Sequence, residues 1–141
     1  MFSLSGANVA WNARMHIVGN GHKDVVGRYN GSAGANTTMC FEGVTSDGNN
    51  CGPIKGVAVD LFDGTYWHHN MDCIDSNDDS DDGDSGGPFF RVQADGRAKA
   101  AGILTGGYYV AEGPPYGNYQ ATCYSLINYT VFFHNAELVT N

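Results

Sequence analysis

Basic side chains are scarce in this 141-residue chain: seven lysines and arginines face fifteen aspartates and glutamates, for a formal charge of −8 at neutral pH. A surface that holds phosphates must be positive, so this balance predicts that nucleic acid is not a partner. No apolar run is long enough to cross a bilayer, and no membrane partner is expected. The opening Met1-Phe2-Ser3-Leu4-Ser5-Gly6 lacks the basic start and apolar centre of an export signal. Zinc-type cysteine spacing is missing as well, because no C-x-x-C occurs among Cys40, Cys51, Cys73 and Cys123. No internal repeat is present, and the one biased tract is an aspartate-rich stretch from Asp72 to Asp84 that holds much of the net charge.

The remaining composition is that of an ordinary globular chain, with 42% hydrophobic residues and length for one domain with a modest core. Twenty glycines favour short strands and many turns over helices. An even number of widely spaced cysteines fits two disulfides and an oxidising compartment; four buried thiols in a cytosolic protein is the other reading. An oxidised protein without an export signal points to a segment missing upstream. Strands are expected at Val25 to Tyr29, Thr37 to Phe41, Ile54 to Leu61, Thr65 to His69, Pro88 to Val92, Ala98 to Thr105 and Tyr129 to Phe133. Turn signals such as Asp47-Gly48, Asp63-Gly64 and Asp95-Gly96 punctuate them. One or two helical turns are expected within 132–139. Short strands joined by Gly, Asn and Asp turns suit an antiparallel barrel or sandwich.

Gly83-Asp84-Ser85-Gly86-Gly87-Pro88 is the motif that carries chemistry. Its G-x-S-x-G core can mark the nucleophile elbow of an α/β-hydrolase, which needs a helix directly after the serine. Gly86-Gly87-Pro88 cannot start a stable helix, so that reading fails on local physics. A serine nucleophile needs an exposed hydroxyl beside preorganised N–H donors for the developing oxyanion. Glycines around the serine leave those N–H groups accessible. The hexapeptide resembles the GDSGGP signature of the trypsin/chymotrypsin-like serine proteases, in particular the secreted bacterial streptogrisin and alpha-lytic type.

The resemblance extends over residues 25–140. Cys40-Phe41-Glu42-Gly43 with Cys51-Gly52-Pro53-Ile54 is similar to the first disulfide of the second barrel in those bacterial enzymes. Cys73 and Cys123 resemble the disulfide that braces the nucleophile loop. Gly102-Ile103-Leu104-Thr105-Gly106-Gly107 looks like the strand that pairs with substrate and lines the specificity pocket. What the resemblance implies is an all-β fold: the antiparallel six-stranded β-barrel that is the second barrel of a chymotrypsin-like protease, with a short C-terminal helix. Residues 25–141 would form that barrel, and residues 1–24 a remnant of the first barrel or an inter-barrel linker. Ser85 would be the catalytic nucleophile, the Gly83 and Ser85 N–H groups the oxyanion hole, and Thr105, Gly106 and Gly107 substrate-binding positions. Asp84 would sit in a buried ion pair, with Arg14, Arg28 or Arg91 as its partner, since Phe41 stands where bacterial members often carry arginine. The activity implied is peptide hydrolysis through an acyl-enzyme, outside the cell, on peptide or protein substrates and without a cofactor or metal.

The chain departs from the family where the base is concerned. In the family the triad runs His, Asp, then Ser along the chain, with the first two on an N-terminal barrel. No Ala-Ala-His-Cys-like segment occurs here, and His16, His22, His68, His69 and His134 all lack that context. Solvated or satisfied histidines are the preferred reading, and Ile17-Val18-Gly19-Asn20 reads as an apolar strand end. The expectation is therefore a truncated endopeptidase that lacks its catalytic His and Asp, inactive alone, with the N-terminal barrel supplied in cis or in trans. The alternatives are a non-catalytic binding module on a protease barrel, and a small hydrolase that uses His16 or His22 with Asp24 or Asp47. Counting back from Ser85 puts Asp79-Ser80 where trypsin-like enzymes carry the Asp-Ser at the base of the pocket, so Asp79 is a substrate-binding candidate for basic side chains. Asp78-x-Ser80-x-Asp82-Gly83 matches the first half of a calcium loop, but Phe89 stands where the closing Glu is needed, and a solvated acidic loop is preferred. Asn30-Gly31-Ser32, Asn36-Thr37-Thr38 and Asn128-Tyr129-Thr130 match the glycosylation sequon.

Overall fold

Among the described residues, short apolar segments between Gly, Asn and Asp turns fold into eight strands. The computed structural model describes residues 14–17, 21–46, 50–75, 80–111 and 118–128. In chain order the strands are β1 (Arg14–Ile17), β2 (Gly21–Arg28), β3 (Thr38–Phe41), β4 (Asn50–Phe62), β5 (Trp67–Ile74), β6 (Pro88–Val92), β7 (Ala98–Ala111) and β8 (Asn118–Leu126). Six of them, β7-β6-β3-β4-β5-β8, close into a ring because β8 also pairs with β7. Every neighbouring pair in the ring is antiparallel. The fold is thus all-β, the expected six-stranded antiparallel barrel. β1 and β2 form an antiparallel hairpin, and β2 joins the ring by running parallel to β7 through Val25↔Ala98 and Arg28↔Ala100.

The closing strand expected at Tyr129 to Phe133 and the short helix expected within 132–139 lie outside the described residues. The strand that closes the ring is β8, and the sequence does not announce it. Ala121, Thr122, Cys123 and Tyr124 are all buried, so β8 shows no apolar/polar alternation of the kind a half-buried strand displays.

Alternate residues of the ring strands fill its interior. Met39, Phe41, Ile54, Ile74, Phe89, Leu104 and Tyr124 form one buried cluster. Phe89 stacks on Tyr124 at 4.1 Å between centroids and on Phe41 at 5.6 Å. The Tyr124 hydroxyl donates to the buried Asp72 carboxylate at 3.3 Å, so its one polar atom is satisfied. Burial and the neighbouring Asp72 charge push the phenol of Tyr124 far up, and it stays neutral.

Both disulfides join facing residues of adjacent strands. Cys40–Cys51 ties β3 to β4, and Cys73–Cys123 ties β5 to β8. All four cysteines are consumed. Their closed loops span 11 and 50 residues, which in a chain-entropy estimate corresponds to about 3 and about 4 kcal/mol of restraint on the unfolded chain.

Candidate active site

The signature motif folds as two consecutive tight turns that share Asp84. The Asp84 N–H donates to the Asp81 carbonyl at 3.1 Å, and the Gly87 N–H donates to the Asp84 carbonyl at 3.0 Å. Gly83 and Gly86 occupy the third position of each turn with φ of 104° and 91°. Positive φ there is the type II requirement, and glycine meets it without steric cost. Ser85 thereby stands at the crest of the second turn. The loop is fastened to β7 through Gly86 N–H to the Leu104 carbonyl and Leu104 N–H to the Gly87 carbonyl, each at 2.8 Å. The Gly83 and Ser85 N–H groups donate no hydrogen bond to a described residue.

Asp84 turns its side chain the other way, into the protein, where it is 1% exposed. One carboxylate oxygen accepts the N–H of Thr45 at 2.7 Å and of Ser46 at 3.1 Å. The other accepts the Asp81 N–H at 3.0 Å and the Ser46 hydroxyl. Among the described residues every donor to Asp84 is neutral, and no lysine or arginine side chain pairs with it. Of the partners expected for an ion pair, Arg28 and Arg91 make no contact with it, and the Arg14 side chain lies outside the description; the described donors form a cradle of N–H and O–H groups from 45–46 and 81. Burial by itself would raise the carboxyl pKa; the Ser46 hydroxyl and the three N–H donors outweigh it and hold the group at about 2. Gly43 lies so close that a Cβ there would collide with the Asp84 carboxyl group.

A cleft of about 340 Å³ opens beside Ser85. One wall is 80–83 with Ser85 itself, the opposite wall is 105–108 of β7, and Asp63 and His68 lie at the end of the β4–β5 hairpin. Register slips between Leu104 and Gly106, so Thr105 sits on a bulge of β7 facing β8. Its hydroxyl meets that of Ser125 at 3.1 Å, and its carbonyl accepts the Ser85 hydroxyl at 3.0 Å. A carbonyl cannot take the serine proton, so this bond orients the hydroxyl without activating it.

The β4–β5 pairing slips three times: β4 gains one residue between Ile54↔Ile74 and Gly56↔Cys73, and beyond Gly56 two opposed bulges bring Asp63 and His68 to the cleft. Between Gly56↔Cys73 and Val59↔Met71, β4 carries one extra residue; between Val59↔Met71 and Leu61↔His68, β5 carries one. Ala58 and Asn70 absorb them with φ of 52° and 55°. Each freed N–H is taken by a carboxylate of the opposite strand: Ala58 N–H by Asp72 at 3.1 Å, Asn70 N–H by Asp60 at 3.1 Å. Val59, between these two bulges, and Leu61, on their tip side, pack with Tyr108 around Cys73 and Cys123. His68 lies near Tyr108, 6.1 Å between ring centroids. The His68 Nε2 meets the Asp63 carboxylate at 2.9 Å, while the other Asp63 oxygen accepts the N–H of Thr65 and of Tyr66, both at 2.7 Å. The His68 contact and those two N–H donors hold the Asp63 carboxyl at about 2. Burial and the Asp63 charge raise the Tyr108 phenol, which remains a neutral hydroxyl.

Ser85, Gly83, Thr105, Gly106 and Gly107 therefore come together around one cleft. Asp79 lies outside the described residues. His16 and His22 are paired backbone positions of the β1–β2 hairpin, and His22 is not among the described cleft residues; the His16 side chain and Asp47 lie outside the description. His69 pairs with Asp60 at 3.1 Å on the outer side of the hairpin. Among the described residues no histidine hydrogen-bonds Ser85. Asp63, His68 and Tyr108 are cleft residues that the sequence does not single out; the Asp63-Gly64 turn signal four residues before His68 is the one trace that links the first two.

No curated protein sequence matches the chain significantly. Solved structures do share its fold. A chymotrypsin of Cellulomonas bogoriensis superposes with a TM-score of 0.70 at 21% identity, covering 96% of this chain and 66% of that one. Thermobifida fusca Protease A gives 0.71 at 22%, with 92% and 61% coverage, and a Nocardiopsis protease gives 0.69 at 23%, with 95% and 64%. The chain thus spans slightly less than two thirds of the length of these enzymes. The family model described as Trypsin matches residues 50–127, more than half of the sequence. With a serine at the crest of a double turn, a cleft beside it and this match, the chain belongs to the trypsin family of chymotrypsin-like serine proteases.

Proposed function

We propose that this barrel carries the nucleophile of a secreted serine endopeptidase. Ser85 attacks the scissile carbonyl, and the Gly83 and Ser85 N–H groups hold the oxyanion of the tetrahedral intermediate. The observation that carries this reading is the pair of N–H groups with no described acceptor flanking an exposed serine hydroxyl at the cleft mouth. Substrate backbone runs along 105–107 of β7, with one side chain in the cleft. The serine proton needs a base, and the Thr105 carbonyl is none. The histidine and its carboxylate come from an N-terminal barrel, in cis in a longer chain or in trans from another. The 61–66% coverage of the structural relatives is consistent with a shared cleft of that kind. The two disulfides accord with an extracellular setting.

A fluorophosphonate probe tests the assignment, because it bonds covalently to an activated serine beside an oxyanion hole. The 141-residue chain alone should label slowly. Supplying the N-terminal barrel should accelerate labelling at least a hundredfold and bring peptide hydrolysis with it, both abolished in Ser85→Ala. Prompt labelling of the isolated chain, lost in His68→Ala, would instead put the base in this chain's own cleft. Labelling that survives Ser85→Ala would overturn the nucleophile assignment.

A further inference from the structure

The end of the β4–β5 hairpin is an unusual surface. Of the six large hydrophobic side chains exposed among the described residues, three lie on it, Phe62, Tyr66 and Trp67, and a fourth, Val57, lies further back on β4. Phe62 is 53%, Tyr66 70% and Trp67 60% exposed. Phe62 and Trp67 face each other across the strands with centroids 5.3 Å apart, and the Trp67 and His69 rings lie nearly parallel at 6.3 Å. A row of bare rings on a protruding ribbon is a hazard unless something binds it.

The fixed charges around these rings are negative, with His68 and His69 paired to Asp63 and Asp60 and cationic only when protonated. From residue 56 to residue 74 the sequence has no lysine or arginine, while Asp60 and Asp63 flank the rings. Both carboxyls are held below their ordinary range by hydrogen bonds, Asp60 by His69 and then the Asn70 N–H, Asp63 by His68 and then the Tyr66 and Thr65 N–H groups. The described cleft wall adds Asp81 and Asp82 and contributes no lysine or arginine. Aromatic faces attract ammonium and guanidinium groups, most strongly tryptophan, and adjacent carboxylates reinforce that attraction while repelling acidic chains. The hairpin is also continuous with the cleft, because Asp63 and His68 line it while Phe62 and Trp67, their sequence neighbours, stand outside.

We propose that the β4–β5 hairpin is a substrate-holding arm for a lysine- or arginine-bearing segment of the polypeptide. The segment flanks the residue that lies in the cleft, and its cations rest against Phe62 and Trp67 within reach of Asp60 and Asp63. This rests on the peptidase reading for the identity of the bound chain but not for the binding itself.

The test uses the Ser85→Ala form of the 141-residue chain, so that nothing is turned over. Fluorescein-labelled twelve-residue peptides of one scaffold, carrying three Lys, three Gln or three Glu, are titrated and followed by anisotropy. The Lys peptide should bind at least tenfold more tightly than the Gln peptide, the Glu peptide least. Trp67→Ala should weaken the Lys peptide several-fold with an unchanged urea midpoint, Asp63→Asn should weaken it several-fold while the chain keeps its folded circular-dichroism spectrum, and raised salt should erase most of the preference. Equal affinity for Lys and Gln peptides, or an unaltered Lys affinity in Trp67→Ala, overturns the arm. So does self-association in sedimentation that Trp67→Ala abolishes, which would give the rings to a second copy of the chain. Lys-peptide binding without fluorophosphonate labelling of the assembled enzyme would sustain the arm and remove the peptidase reading alone.

Discussion

Replacing Asp84 by asparagine would remove one charge from the centre of a cradle built for it. The side chain keeps its size, but an NH2 group then faces N–H and O–H donors in place of an acceptor oxygen. The native carboxyl is held at about 2, against roughly 3.9 in an unfolded chain, and at about 1.4 kcal/mol per unit this is about 2.5 kcal/mol of stability at neutral pH. Because the folded value is depressed, that stability is fully present above about pH 4 and is lost as pH falls from about 4 to about 2. Urea unfolding followed by fluorescence at pH 7 and at steps down to pH 2 reads both quantities. Asp84→Asn should be about 2.5 kcal/mol less stable than the parent at pH 7, and the gap should narrow steadily below about pH 4. Subtracting the two curves removes the contributions of Asp63 and other acids common to both. Equal urea midpoints at pH 7, or a gap constant down to pH 2, would refute the cradle as the source of the shift.

Gly43→Ala should cost about 1–3 kcal/mol in the same assay, because its new methyl must displace the Asp84 carboxyl group that already fills the Cβ position. Replacing Cys73 and Cys123 together by serine should lower stability by about 4 kcal/mol, and the Cys40/Cys51 pair by about 3, in denaturant titrations under non-reducing conditions.

Much of the site was readable in the six residues 83–88, since glycine at two positions of positive φ and a serine between them leave few foldings of that loop. The turn spacing points to short antiparallel strands, and the family resemblance implies the ring of six and both disulfide pairings. The partners of Asp84 were not readable, because an arginine leaves a letter in the sequence and a backbone N–H does not: Thr45 and Asp81 act through atoms that nearly every residue has. Asp63 and His68 reach the cleft only through two bulges, and alternation read along either strand alone does not show which face a residue past a bulge will take. β8 escaped for the opposite reason, being buried on both faces at its centre.

The two bulges have a genetic consequence. They lie on opposite strands and cancel, so the pairing offset at Gly56↔Cys73 is restored at Leu61↔His68. Losing one codon at Ala58 or at Asn70 would invert one strand of the hairpin tip relative to the other and turn His68 or Leu61 away from Tyr108. Losing both would shorten the arm and keep its faces. Between Gly56 and the tip, a change of length that keeps both faces therefore comes in paired steps, whereas the lone extra residue of β4 between Ile54 and Gly56 offsets the whole outer hairpin.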